Sequence, residues 1–361
     1  MERKQWIDIV RAFGIFAIVY GHLVQGPSII SRFFGSFRVA IFFTVMGITF
    51  KYKGEFKEYI KKRFVRLLIP YFSFALISIL IMYVIGKIFP SIVDGEETQI
   101  IPNILGALYG NGLLGYMKWN LPLWFLPCSF VVCNIIYIVE MMIDKIWAKK
   151  KNLVRIVFVV ISFSLNYLYC LFFRDLKLPF GSEVAISMSG FFMLGVILNT
   201  IKIHITNTIK IIVSIILLIS SFVFANINNG VSVMSLKFGK NLMAYYCIAI
   251  MAIIGICLLS MWITNIRKLK IVNGILAYCG MHTIAILCMH KFPIILFQYI
   301  VPYTKNLMRS EIDSVNKNFM GFIVTSLIIL LCLIVELFID RICPFILGKK
   351  MEKKVYRINK L

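Results

Sequence analysis

Three ionisable side chains interrupt an otherwise apolar stretch near the start of the chain. The segment WIDIVRAFGIFAIVYGH, residues 6–22, contains Asp8, Arg11 and His22 among long apolar residues. Charge at the centre of a bilayer helix costs roughly 2.5–3.5 kcal/mol per residue on insertion scales, so it is rarely idle there. On an α-helix, at about 100° per residue, Arg11 and His22 fall on one face, about 16 Å apart along the axis. Asp8 lies three positions before Arg11 and can pair with it on that face. Gly14 and Gly21 thin the helix near both groups and let another element approach. An imidazole titrates nearest neutrality, which suits it to take a proton from a weak nucleophile such as a hydroxyl. A guanidinium suits an anionic or polarised oxygen. The plainer alternative is that Arg11 snorkels to the inner surface and His22 is a satisfied interfacial histidine.

A second basic group stands in KKRFVRLLIPY, where Arg63 and Arg66 follow Lys61 and Lys62 and precede Pro70. Two guanidiniums three positions apart can converge on one phosphate with bidentate hydrogen bonds. Contact with lipid headgroups is the competing explanation. Further along come Trp119 and Trp124, the latter in LPLWFLP at 121–127, and His290 in MHKFP beside Lys291. The tryptophans suit stacking on a sugar ring and equally suit an interfacial aromatic belt. His290 could line the same cavity as His22 or make a structural polar contact. His282 lies about 80° round the helix from His290, so no paired metal site is expected. His204 sits in a basic loop, and Glu336, Asp340 and Arg341 suggest an ion-pair set that anchors the last helix. The nine cysteines form no C-x-x-C pair and lie mostly within apolar runs, which suggests packing residues and neither a disulfide frame nor a metal site.

These residues are embedded in a chain built for a bilayer. Of 361 residues, 60% are apolar and 15% charged, and the apolar runs recur along the whole length. A soluble domain of that size carries far more charge. Runs of about 20 apolar residues cross the hydrocarbon core as helices, and ten spans are expected, at about 6–23, 34–50, 69–88, 122–142, 154–173, 184–200, 209–225, 243–263, 274–300 and 318–340. The expectation is an all-α, polytopic transmembrane bundle forming a single integral-membrane domain over 1–361. With the N-terminus inside, the cytoplasmic segments hold 26 Lys and Arg against 11 in the longer outer ones. That alternation places both termini in the cytoplasm. The net charge of +23 therefore reads as topology and contact with anionic membrane lipid. Nucleic acid is not an expected partner, because no basic stretch is interleaved with aromatics in a soluble module. Asp8 and Arg11 interrupt the first apolar run, and no small-residue cleavage site follows it, so it is read as a retained helix and not a signal peptide. The largest outer loop, about 89–121, is the expected place for a re-entrant or acceptor-facing element.

Taken in order, these motifs resemble the acyltransferase family 3 membrane proteins, which O-acylate cell-surface polysaccharides and lipopolysaccharides. Arg11 and His22 match the R-x10-H signature, and Arg63 and Arg66 match R-x-x-R. LPLWFLP and His290 extend the match, which runs over nearly the whole chain. The opening residues together with LPLWFLP look most like the fucose 4-O-acetylase-like subgroup. One position departs from the pattern. Many members carry S-x-x-x-E after the Leu-Trp stretch, whereas here Ser129 is followed by Cys133.

The resemblance implies an O-acyltransferase in the plasma or inner membrane. It would move an acyl group, acetyl above all, from cytoplasmic acyl-CoA to a hydroxyl of a surface glycan or lipid-linked sugar, without a metal. It implies His22, Arg11 and Asp8 as the catalytic group, and Arg63, Arg66 and Lys62 as the acyl-CoA-binding group. Trp124 and His290 are then substrate-lining residues. A second class remains open: a polytopic transporter or flippase in which Arg11 and His22 line a path or relay protons. No inverted repeat is visible to support it. A scaffold subunit of glycan export is a third possibility.

Overall fold

The computed structural model describes residues 4–89, 98–115, 117–201, 205–310 and 312–349. His204 and the basic residues beyond Lys349 lie outside them. Among the described residues the chain is almost entirely helical. The one sheet is a two-stranded antiparallel hairpin, β1 (Val231–Ser232) and β2 (Lys237–Phe238).

Among the described residues nine helical segments are long and apolar enough to cross a bilayer, and ten if one bent pair counts as a span. The ten expected spans are all present, with three differences. The second is two helices, α2 (Ile29–Phe37) and α3 (Ala40–Ile48), joined at Arg38 and Val39. The third starts earlier, running from α4 (Phe56–Arg63) through a π-helical turn, Phe64–Leu68, into α5 (Ile69–Ile88). Pro70 explains that turn. It has no N–H to give the carbonyl four residues back, and the Ile69 N–H reaches the Phe64 carbonyl, the five-residue spacing of a π-turn.

The ninth span is the third difference. It is broken into α12 (Lys270–Met281), α13 (Thr283–Met289) and α14 (Lys291–Ile300), with a bend of 62° at His282. Pro293 falls in the first turn of α14, where its missing N–H costs nothing. Apolar periodicity was continuous across these breaks, which is why 274–300 read as one helix.

The remaining long helices are α1 (Gln5–Leu23), α7 (Phe125–Ile146), α8 (Lys151–Phe172), α9 (Ser182–Thr200), α10 (Asn207–Ile227), α11 (Leu242–Thr264) and α16 (Val315–Ile342). The loop expected to hold a re-entrant element contains α6 (Ile100–Tyr109), ten residues and too short to span. It is tied back to the bundle where the Tyr71 hydroxyl donates to the Ala107 carbonyl at 2.7 Å.

The first helix occupies the centre. It packs on α2, α3, α11, α12, α13 and α16, and buries Ile9, Val10, Ala17, Val19, Tyr20 and Leu23 completely. Close crossings depend on missing side chains, as expected where lipid supplies no hydrophobic drive. A Cβ at Gly280 of α12 would overlap the Asp8 backbone carbonyl, and Cβ atoms at Gly47 and Gly195 would overlap carbonyls across the α3–α9 contact. At the periphery, α8 and α10 expose apolar rows such as Leu153, Ile156, Val160 and Ile212, Ile216, Ile219. Such rows are stable facing lipid and not facing water.

Candidate active site

The face of α1 that the sequence singled out lines a large cavity. Arg11, Ile15 and Ile18, at successive helical turns, form one wall of a space of about 460 Å³. His22 is the next residue on that stripe. The opposite walls bring in Arg63 and Arg66, Ser129 and Cys133 of α7, and Thr283 beside the break in the ninth span. The lining contains no carboxylate. Asp8 is buried, and its carboxylate accepts from Arg11 Nη1 at 2.9 Å, as the three-residue spacing anticipated. That contact fixes the Arg11 head at one end of the cavity. Ser129 Oγ is fully buried without a hydrogen-bond partner among the described residues, so it is available to something in the cavity.

The two arginines of the basic motif both reach this space. Arg63 ends α4 and stacks over the Tyr59 ring at 4.9 Å, while Arg66 sits in the π-turn. The wider turn changes their angular separation from that of an α-helix, and this is how Pro70 helps to aim them. Lys62 behaves differently. It is largely exposed and pairs with Glu58 at 3.5 Å on the outer side of α4, away from the cavity.

At the other end of the stripe, His22 meets His290, their rings 5.3 Å apart and tilted by 38°. His290 is completely buried at the junction of α13 and α14. Its Nδ1 lies 3.0 Å from the Ile286 carbonyl and 2.9 Å from the Leu287 carbonyl. Two carbonyl partners require Nδ1 to carry the proton. The other nitrogen, Nε2, is buried with no partner among the described residues. A neutral His290 therefore presents a bare lone pair beside His22. Arg38 and Lys291 lie close enough to act on the charge of both rings.

Three features had no clear signal in the sequence. Arg38, which falls inside the expected second span, stands at the α2–α3 junction with its guanidinium against Gly21, where a Cβ would overlap it. Gly21 had marked a site of close approach without naming the partner. Asn120 is fully buried, and its Nδ2 donates to Ser78 Oγ at 2.9 Å and to the Cys288 carbonyl at 3.2 Å. It thereby ties the Trp-containing run to the helix just before His290. Trp124 lines a small pocket with Tyr71, Asn111 and Asn120, separate from the larger cavity.

The third feature lies near the C-terminus. Glu336 and Asp340 do not form the expected set with Arg341. Glu336 pairs with His282 at 2.7 Å and with Lys349 at 2.8 Å, and Lys349 also reaches Asp340 at 2.6 Å. The short helix Pro344–Leu347 turns the chain back to make this possible. Burial disfavours the charged Lys349, but its bonds to Asp340 and Glu336 outweigh that and raise its pKa above the usual lysine value. No group of three or more His, Cys, Asp or Glu able to hold a metal occurs among the described residues, and all nine cysteines are free.

Fold and site together define a multi-pass membrane protein whose cation-lined cavity leads, along one helix face, to an embedded pair of histidines. A family model described as an acyltransferase domain matches residues 4–338, and the chain belongs to that family, acyltransferase family 3. No curated protein and no solved structure matches the chain.

Proposed function

We propose that this acyltransferase takes an acyl group, acetyl above all, from cytoplasmic acyl-CoA. In this reading it delivers the group to a hydroxyl of a cell-surface or lipid-linked glycan, as in the fucose 4-O-acetylase-like subgroup. The observation that carries the reading is the single α1 face shared by the Arg11, Arg63 and Arg66 cavity and the His22–His290 pair. The arginines stand at the end that the charge pattern assigns to the cytoplasm of a plasma or inner membrane, where the phosphates of coenzyme A are found. The histidines stand about 16 Å further along the helix, toward the outside.

In this reading His22 removes the proton from the acceptor hydroxyl as its oxygen bonds to the acyl carbon. The carbon–sulfur bond of the thioester breaks, and the coenzyme leaves as a thiolate that takes up a proton. The ring of His290 lies 5.3 Å from that of His22, and its unpartnered Nε2 would offer a second resting position for the hydroxyl proton. Arg11, fixed by Asp8, holds the donor end in register. A positioned base of this kind typically contributes 10²–10⁴-fold.

The test is labelled acetyl-CoA added to inverted membrane vesicles containing the protein. Label should appear in glycan or lipid-linked sugar with wild-type protein and not with His22→Ala; equal labelling in both would remove His22 from the mechanism. A transport reading draws on the break at His282, since discontinuous helices form transporter sites. A counterpart break that would complete an inverted pair is absent among the described residues.

A further inference from the structure

Arg38 is a cation with no counter-charge paired to it among the described residues. It lies within the apolar Ile29–Ile48 pair, packed on Gly21 next to His22. It makes no side-chain hydrogen bond or ion pair with any described residue. Every group close enough to act on the His22 ring is another imidazole or a cation: His290, Arg38 and Lys291. Asp8 belongs to Arg11 at the far end of the helix, and Asp313 is engaged by the Ile29 N–H and the Asn318 side chain. Guanidiniums embedded in a bilayer are costly and normally paired. His290 Nε2, fully buried and without a partner, adds an independent sign that a ligand belongs here.

We infer that Arg38 binds an anionic group carried by the acyl acceptor, a phosphate or a carboxylate close to the reacting hydroxyl. This makes the acceptor an acidic glycan or sugar phosphate. The inference rests on the acyl-transfer reading for the word acceptor, while the anion site itself rests on geometry alone. A guanidinium offers a planar fork of donors that fits a phosphate or carboxylate and selects both over a neutral sugar. A transient oxyanion on the acyl carbon is commonly served by neutral N–H donors, whereas the embedded guanidinium of Arg38 matches a ligand with a standing full charge. Arg38 would position the acceptor with its hydroxyl toward the lone pairs of His22 and His290. The bulk of the guanidinium explains why residue 21 is glycine.

The experiment measures binding of glucose 1-phosphate, glucuronate and neutral glucose to full-length protein in nanodiscs, with coenzyme A saturating the arginine cavity. Wild type, Arg38→Gln and Arg38→Lys are compared. Wild type should prefer at least one anionic probe over glucose by about tenfold or more, the scale of a charge-assisted contact. Arg38→Gln should abolish that preference, and Arg38→Lys should keep part of it. The phosphate and carboxylate arms distinguish the two sources of charge. Coenzyme A binding in the same samples reports whether each variant is folded. If wild type shows no preference for either anion, or Arg38→Gln keeps it in full, the anion site is refuted. Acetyl transfer in the vesicle assay, scored separately, decides the broader reading. An Arg38→Gln enzyme that binds anions normally yet loses kcat would replace this inference with a role in stabilising the oxyanion.

Discussion

His22 and His290 face each other across 5.3 Å, although one ends the first helix and the other stands at the last break of the ninth span. The contact is one of several that join the N-terminal and C-terminal parts of the chain along α1. It also gives the site two imidazoles where one was evident from the local motif.

The two rings should act as a unit. His22→Ala is expected to lower transfer by about 10²–10⁴-fold, and His290→Ala by a smaller factor. The double variant should fall little below His22→Ala, because removing either partner of a coupled pair removes most of the shared effect. Initial rates of all four proteins in vesicles check this. Fully multiplicative losses would mean that the rings work independently.

The donor end is separable. Arg63→Ala and Arg66→Ala should each weaken acyl-CoA binding about tenfold or more, consistent with roughly 1.5–3 kcal/mol per charge-assisted contact. Lys62→Ala should change it less than twofold, because that side chain is exposed and pairs with Glu58. Titration of purified protein with a labelled acyl-CoA gives all three values. A Lys62 effect as large as that of Arg63 would place the phosphates on the outer side of α4.

Legibility followed the kind of signal each feature leaves. The ten spans were evident because apolar length is a property of contiguous residues. The Asp8–Arg11 pair was evident because helical spacing fixes it. The proximity of His290 to His22 leaves no local trace, since it depends on how α1 packs against a broken helix. The breaks themselves kept an apolar pattern and were missed. Arg38 falls within the expected span 34–50 with nothing to mark it as part of a site, and it is accommodated there by the missing side chain of Gly21. Glu336 and Asp340 took a partner from beyond the helix because Pro344–Leu347 folds back, which spacing within α16 cannot reveal.

Topology provides a third test. The charge pattern places both termini in the cytoplasm and the 98–115 region outside. A cysteine introduced at Lys150 in a Cys-free background should resist an impermeant thiol reagent in intact cells and react in inverted vesicles. One at Leu114, half exposed beside α6, should do the reverse. Labelling of position 150 in intact cells would invert the map and move the donor cavity to the wrong side for acyl-CoA.

Two glycines of one helix should respond in opposite ways. A Cβ at Gly280 would overlap the Asp8 carbonyl, so Gly280→Ala forces α12 off α1, at a cost of about 1–3 kcal/mol. Gly274 has open space around its Cβ position, and Gly274→Ala should be neutral or stabilising by up to about 1 kcal/mol, because alanine is the better helix former. Thermal unfolding followed by size-exclusion recovery measures both. Equal Tm values for the two variants would show that the α1–α12 crossing tolerates separation.

Ile15 and Ile18 wall the cavity between the arginine end and the histidine end, yet they are 1% and 5% exposed. A protein that passes a chemical group between two compartments must not become a leak for protons and small ions. Two branched hydrocarbon side chains make this stretch of the wall apolar, a surface that hydrated ions wet poorly. In the proposed transfer the acyl group passes this stretch while still bonded to the sulfur of the coenzyme. If the proposed transfer holds, the same pair of residues that resists ion leakage also favours a cargo with a small, apolar acyl end.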